Sequence, residues 1–434
     1  MDTQLLLKTA MLAGEIMLRS GAETYRVEDT MHHILKTADH IEMAEVLVIM
    51  TGISATIKLE NEKAVTVTKR VEERDTNLKL VVDVNEISRQ YCGDDLTLEQ
   101  AYEKLSTLKQ FEFSRKTTNL AMMGVGVGFT IFFGGSIADT GAAIIVGLFL
   151  VAFVSAGQDL KFHPFIQDIF AGFGVAFACC LLKEGLGDQM NMDTVMIGSF
   201  MPLVPGMAIT NAVRDTLRGD YLSGGARVME AFLKALGIAI GIGIGLALCA
   251  KIFLQEGEQK MNSTVFEMII RVFGAFLSIY SFAVLLQVPR RFVLQAGIVG
   301  AIGGFVYLLA IHFGRGDMMA SLYSAVAAAV VSHIFARVYK TPVTLFLIAG
   351  VLPTVPGNGM YQTVHYLIDG NEAMSEFYLI QTLEIAGVIS LAIFVVDTFF
   401  QAFQKSEWKQ NSMKYVRKIV PGAEEPQNTE KREK

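Results

Sequence analysis

Charge is scarce over most of this chain. Of 434 residues, 18% are charged and 52% hydrophobic, and the mean hydropathy is +0.42. From Leu120 to Phe403 the charges retreat to short breaks, whereas residues 1–118 are rich in Lys, Arg, Glu and Asp. An ordinary soluble protein is excluded; a soluble N-terminal domain followed by a membrane domain is implied. Cysteine is also sparse. Cys92, Cys179, Cys180 and Cys249 have no metal-ligand spacing, so Cys179 and Cys180 read as packing groups within an apolar span. No basic patch interleaved with aromatics suggests nucleic acid, and the net charge of −6 says little about partners. The start, Met1-Asp2-Thr3-Gln4, has no basic region, and Glu15 and Arg19 interrupt the next apolar stretch, which argues against a signal peptide.

What is present is apolar length. Ten stretches read as spans: 119–134, 138–155, 165–183, 193–213, 229–250, 264–286, 291–312, 317–337, 342–364 and 377–403. Ahead of them, Leu5, Leu6, Thr9, Leu12, Ala13, Ile16 and Met17 recur at helical spacing. Gly21 ends that helix and 23–36 suits a second. Residues 45–58 and 64–68 read as strands, and 78–90 and 98–109 as helices. The expected fold is an α+β domain over 1–115, then membrane repeats of five helices each over 116–254 and 255–404, then a charged tail over 405–434.

Two spans are broken in the middle by one pattern. Residues 202–206 read Pro-Leu-Val-Pro-Gly and 353–357 Pro-Thr-Val-Pro-Gly. Two prolines and a glycine are poor helix formers, and a bilayer tolerates such a break only where freed backbone groups find partners. At an offset of 151, Pro202, Val204, Pro205, Gly206, Val213 and Gly219 fall on Pro353, Val355, Pro356, Gly357, Val364 and Gly370. Asn211 falls on Gln362, so a carboxamide recurs beyond each break. Five spans per half invert the second half, an arrangement that supports alternating access around a midplane site. Pro202, Pro205, Gly206, Asn211 and Asp215 are therefore candidate substrate-binding positions, with Pro353, Pro356, Gly357, Asn358 and Gln362 in the second half. The alternative is a pair of proline kinks that only shape packing.

Intramembrane charge marks pathways and proton relays. Glu384 lies within the last span and overlays Lys234 of the fifth at an offset of 150. It is a candidate proton carrier, or half of a structural pair with Lys234. Asp168 is a further coupling candidate. Asp139 and Asp397, near span ends, read as solvated acids, Glu267 and Arg271 as a local i, i+4 pair, and Arg214 and Arg218 as topology anchors. Gly124-Val-Gly-Val-Gly128 and Gly241-Ile-Gly-Ile-Gly245 read as helix-packing glycines, not a nucleotide site. His32-His33 reads as solvated surface; no metal and no cofactor is expected. Lys and Arg near span ends, including Lys161, Arg290, Arg291, Arg337 and Lys340, place both termini in the cytoplasm.

Gly14-Glu-Ile-Met-Leu-Arg-Ser-Gly-Ala-Glu-Thr-Tyr-Arg-Val-Glu-Asp-Thr-Met31 resembles the opening signature of the threonine/serine exporter family. Arg74-Asp-Thr-Asn-Leu78, Val84-Asn-Glu-Ile-Ser-Arg89 and Leu203-Val-Pro-Gly206 fit the same family, and the last five spans look like a module that some members carry as a separate chain. The resemblance implies a cytoplasmic-membrane secondary exporter of threonine and serine, driven by the proton motive force. Its partners would be a small-molecule substrate, protons and the lipid bilayer; a homo-oligomer is allowed but not specified. Split members implicated in succinate export keep a dicarboxylate exporter as an alternative. A membrane-anchored hydrolase-like enzyme is another, with Ser20, Glu23, Arg26, Glu28, Asp29, Arg74, Asp75 and Asn77 as its polar groups, although no nucleophile–base pair is legible.

Overall fold

The computed structural model describes residues 2–38, 41–60, 63–72, 75–248, 265–355, 357–368 and 370–419. The N-terminal domain contains α1 (Thr3–Arg19), α2 (Thr24–Leu35), β1 (Ile41–Ile49), β2 (Gly52–Leu59), β3 (Val65–Arg70), α3 (Leu78–Cys92) and α4 (Leu98–Ser106). Gly21, at φ +82°, turns the chain between α1 and α2, where a side chain would be strained. The stretch 45–58, read as one strand, is a hairpin: β1 pairs antiparallel with β2, closing with Ile49 opposite Gly52. β2 pairs antiparallel with β3, giving the order β1-β2-β3. A core of Leu6, Met17, Met31, Ile34, Ile53 and Ile57 holds the helices to one face of the sheet, each buried side chain contributing on the order of 1.5–3 kcal/mol.

α3 serves two cores. Val81, Val84 and Ile87 belong to the N-terminal core, whereas Leu78 and Val82 join the membrane core. That second face docks on the membrane helices, where the Leu78 N–H donates to the Leu286 carbonyl at 3.0 Å.

The remainder is helical: α5 (Arg115–Phe132), α6 (Ile137–Asp159), α7 (Pro164–Leu186), α8 (Met192–Phe200), α9 (Gly206–Leu217), α10 (Tyr221–Leu248), α11 (Val265–Leu285), α12 (Arg290–His312), α13 (Asp317–Tyr339), α14 (Thr344–Val351), α15 (Gly357–Ile368) and α16 (Glu372–Ile419). Seven helices among the described residues are long and apolar enough to cross a membrane: α6, α7, α10, α11, α12, α13 and α16. The other three stretches read as spans fall on the 18-residue α5 and on the interrupted segments α8–α9 and α14–α15.

Packing recurs between the halves. α7 lies on α10 as α13 lies on α16, and α9 on α10 as α15 on α16. The lead helices α5 and α11 pack closely and antiparallel. The start of α5 meets the end of α11 through Gln287 Oε1, which accepts from Glu112 N at 3.0 Å. The end of α5 meets the start of α11 through Arg271 Nε, which donates to the Phe132 carbonyl at 2.8 Å. Glycines permit this approach: a Cβ on Gly274 would stand 2.6 Å from Phe132 N and 2.8 Å from Gly128 O. The glycine runs thus face neighbouring helices, Gly241 lying against the Ile169 carbonyl.

Candidate functional site

The two breaks have the same backbone. After α8, a 3-10 turn over Met201–Leu203 leads to Val204 at φ −60°, ψ 129°. After α14, a 3-10 turn over Leu352–Thr354 leads to Val355 at φ −60°, ψ 133°. Gly206 N–H donates to Val204 O at 2.8 Å, and Gly357 N–H to Val355 O at 2.7 Å. Pro202 and Pro353 lie in the turns, whose missing N–H groups help end α8 and α14. Pro356 lies outside the described residues, and Asn358 sits on α15 with a side chain outside them too.

The breaks also touch each other. A Cβ on Gly206 would stand 3.0 Å from Leu352 Cδ2 and 3.2 Å from Val355 Cγ1. One on Gly357 would stand 2.6 Å from Met201 Cε and 3.4 Å from Val204 Cγ2. Met201 and Val204 map onto Leu352 and Val355 under the 151-residue offset, so the contact is reciprocal. A side chain at Gly206 would press on Leu352 and Val355, and one at Gly357 would displace the end of Met201.

On the face away from the N-terminal domain, a cavity of about 1100 Å³ opens between helix ends. It reaches the second break at Pro353, Thr354 and Val355 and passes Gly359 and Gln381. Its polar wall mixes one cation, Arg271, with Asp193, Glu267 and Asp317, and adds the hydroxyls of Thr140, Thr194 and Ser321. Arg271 is buried and turned toward α5 by its bond to Phe132 O. Tyr307 OH donates to Asp317 Oδ1 at 2.9 Å.

The first break faces a void of about 10 Å³, bordered by Gly206, Asn211, Arg214, Leu347 and Leu352, about the space of one water. Asn211 Oδ1 is buried without a partner, and such an acceptor requires water or a ligand. Gln362 is half-buried on α15.

The side of the breaks toward the N-terminal domain differs. A buried charge network lies there. Arg214 of α9, 3% exposed, donates to Glu23 Oε1 at 2.5 Å and lies 3.6 Å from Asp397 of α16. Arg218 also lies 3.6 Å from Asp397, with its guanidinium 3.5 Å over the Tyr25 ring. His333 Nε2 of α13 is 2.6 Å from Asp397 Oδ1. Arg227 donates to Asp215 at 2.9 Å and to the Ala22 carbonyl at 3.2 Å, while Thr24 donates to Asp220 at 2.9 Å. Burial pushes the Glu23 carboxyl up, but Arg26 and Arg214 outweigh it and hold it below the usual carboxylate range.

Several expectations change here. Arg214 is no surface anchor, because it is buried between two carboxylates. Asp397 is no solvated acid; it joins three helices. Asp139 is buried too: it caps α6 by accepting from Ser136 and takes the Asn191 N–H at 2.7 Å. Arg227 lies on α10, which begins eight residues before the apolar run. Among the described residues no ion pair joins Glu384 to Lys234. Glu384 is exposed on α16, and Lys234 acts instead on the half-buried Asp168 of α7. Arg271 bonds to a carbonyl as well as sharing the cavity wall with Glu267. The polar groups of the N-terminal signature have structural partners: Glu23 holds Arg214, Glu28 accepts from Val48 N at 2.9 Å, and Asn77 bonds to the Gln110 carbonyl. Arg74 lies outside the described residues. His33 pairs with Asp29 at the surface, and no metal-holding cluster occurs among the described residues.

Sequence reasoning passed over His333 and Tyr307. Each is an ionisable group within an apolar helix, which was a usable signal.

Two family models cover the chain: "Putative threonine/serine exporter" over residues 8–249 and "Threonine/Serine exporter, ThrE" over residues 271–399. A "Threonine/serine exporter" of Corynebacterium glutamicum is 22% identical over 371 residues, 81% of this chain and 74% of that protein. A "Probable threonine/serine exporter" of Mycobacterium tuberculosis is 20% identical over 374 residues, 84% of this chain and 70% of that protein. No solved structure matches the chain. The broken helices, the multi-pass apolar bundle and the model covering more than half of the sequence agree: the chain belongs to the threonine/serine exporter family.

Proposed function

We propose that the protein exports threonine and serine by alternating access around the paired breaks, with ten spans in two inverted five-helix repeats. The observation that carries this reading is the reciprocal contact of Gly206 with Leu352 and Val355 and of Gly357 with Met201 and Val204, with Val355 also lining a cavity open to one face. Antiparallel α5 and α11 support the inversion. With the N-terminal domain and both termini in the cytoplasm, the cavity opens outward and the network around Arg214 closes the inner face.

The cavity wall favours a zwitterion over a dicarboxylate. One cation among three acids suits a ligand that carries an ammonium as well as a carboxylate, and the wall hydroxyls can bond a substrate hydroxyl. Asn211, Asp215 and Gln362, with the backbone at Pro202, Pro205, Gly206, Pro353, Pro356, Gly357 and Asn358, form the midplane site in this reading. Half-helix N-termini favour the carboxylate.

Export is coupled to protons through acids within the helices. Asp168, with Lys234 beside it, and Glu384, one turn after the cavity-lining Gln381 and adjacent in sequence to the cavity-lining Ile385, are the groups assigned to that role. Counterflow in liposomes with labelled threonine, serine and succinate tests the reading. Threonine and serine should exchange and succinate should not. Pro205→Ala and Asn211→Ala should lower exchange in protein that still folds; unchanged affinity and rate in both would move the site elsewhere.

A further inference from the structure

A second cavity, about 400 Å³, lies between the N-terminal domain and the membrane helices. Its size falls within the range of small-molecule sites, about 300–1,000 Å³. Its wall is cationic in a chain of net charge −6. Arg26 and Arg89 line it from the N-terminal domain, and Arg214, Arg337 and Lys340 from the membrane helices. The acid among the lining residues is Asp397, already engaged by His333, Arg214 and Arg218.

Two of these cations are positioned by neutral groups. Arg89 donates to the Lys340 carbonyl at 2.8 Å. Arg337 donates to the Phe400 carbonyl at 3.1 Å, with its guanidinium 4.6 Å over the Phe400 ring. Carbonyls fix these side chains without cancelling their charge. Lys340 itself caps α13 in the left-handed conformation, φ 53°, and its carbonyl carries the bond from Arg89. Two lining donors are buried without partners, Arg214 Nε and Thr341 Oγ1. An apolar occupant would leave them unsatisfied at a cost, whereas an oxyanion would accept from both.

We propose that this cavity binds a phosphate group, carried by a soluble metabolite or by an anionic phospholipid headgroup, that bridges the N-terminal domain to α9 and α13. Guanidinium forks match phosphate oxygens geometrically. A zwitterionic amino acid fits poorly, because its ammonium would meet only Asp397, which is already paired. Binding draws Arg26 and Arg89 toward Arg214, Arg337 and Lys340, and so holds the inner face closed. Phosphate binding here does not depend on where the transported substrate binds; its effect on the inner face rests on the orientation proposed above.

The test uses the full chain in phosphatidylcholine nanodiscs, titrated with inorganic phosphate and followed by calorimetry and thermal stability. Sodium chloride at matched ionic strength is the control. Phosphate should bind saturably and raise the melting temperature. Arg89→Gln combined with Lys340→Gln should weaken binding by roughly tenfold or more, and Arg89→Lys should keep part of it. Both residues are exposed, so the fold survives these changes. Nanodiscs containing phosphatidylglycerol separate the sources. Phosphate binding that persists there identifies a soluble ligand. Loss of it, with a stabilisation by the lipid that needs Arg89 and Lys340, identifies a headgroup. An equal response to chloride, unchanged affinity in the double variant, or competition by threonine would each overturn the proposal.

Discussion

The two faces of the membrane domain handle charge in opposite ways. On the face away from the N-terminal domain, Glu267, Arg271 and Asp317 line a cavity of about 1100 Å³. On the other, Glu23, Arg214, Asp215, Arg227 and Asp397 are buried against one another, and Glu23 and Arg214 pair at 2.5 Å. The network joins the N-terminal domain to α9, the half-helix that follows the first break. Charge that lines a cavity on one side is buried in ion pairs on the other. The N-terminal domain therefore supplies a wall of the buried network.

The largest effect should come from breaking that wall. Arg214→Met removes the cation shared by Glu23 and Asp397 and leaves Arg26 beside the one and Arg218 and His333 beside the other, so the cost should approach, without reaching, the roughly 3–5 kcal/mol of an orphaned buried charge. The melting temperature of the full chain should fall clearly, and adding Glu23→Gln should recover part of the loss. A variant as stable as the parent would mean that the network is hydrated and seals nothing.

Sidedness is the next test. In a background without native cysteines, Thr140→Cys should react with an impermeant reagent only from outside, and Asn85→Cys only from the cytoplasm. Reaction of Thr140→Cys from the cytoplasmic side would invert the assignment of the two faces.

A smaller effect follows from pH. The Glu23 carboxyl titrates below its ordinary value because Arg26 and Arg214 outweigh burial. A depressed carboxyl stabilises the fold above its unfolded pKa, and the contribution is lost as pH falls through the folded pKa. Stability should therefore hold from neutral pH to the ordinary carboxylate range and drop below it. Glu23→Gln should remove that part of the acid dependence.

The smallest structural effect should be at Glu384, which is exposed on α16. Glu384→Gln should leave the melting temperature unchanged. Export driven by a pH gradient should fall if this acid carries the proton, and export by Asp168→Asn separates its role from that of the Asp168–Lys234 neighbourhood.

Much of this was legible in the chain. Apolar runs marked the helices because burial in lipid demands length and composition together. The Pro-Leu-Val-Pro-Gly and Pro-Thr-Val-Pro-Gly repeats marked both breaks because proline ends a helix whatever surrounds it. The hairpin at Met50–Thr51 was missed because its β-branched run continues through the turn without a strong turn residue before Gly52. Asp397 and Arg214 were misread because a charge near a span end is solvated or buried according to what covers it. Here the cover is α2, nearly two hundred positions away for Arg214.

Local sequence therefore determined where helices run, where they break and which positions repeat, since these depend on each residue's own backbone preferences and polarity. Tertiary structure alone decided that the two breaks touch, that Lys234 neighbours Asp168 and not Glu384, and that ion pairs are buried on one face while a cavity of about 1100 Å³ lies on the other. Those outcomes depend on which distant groups meet, and a charge's energy is set by the partners and dielectric around it.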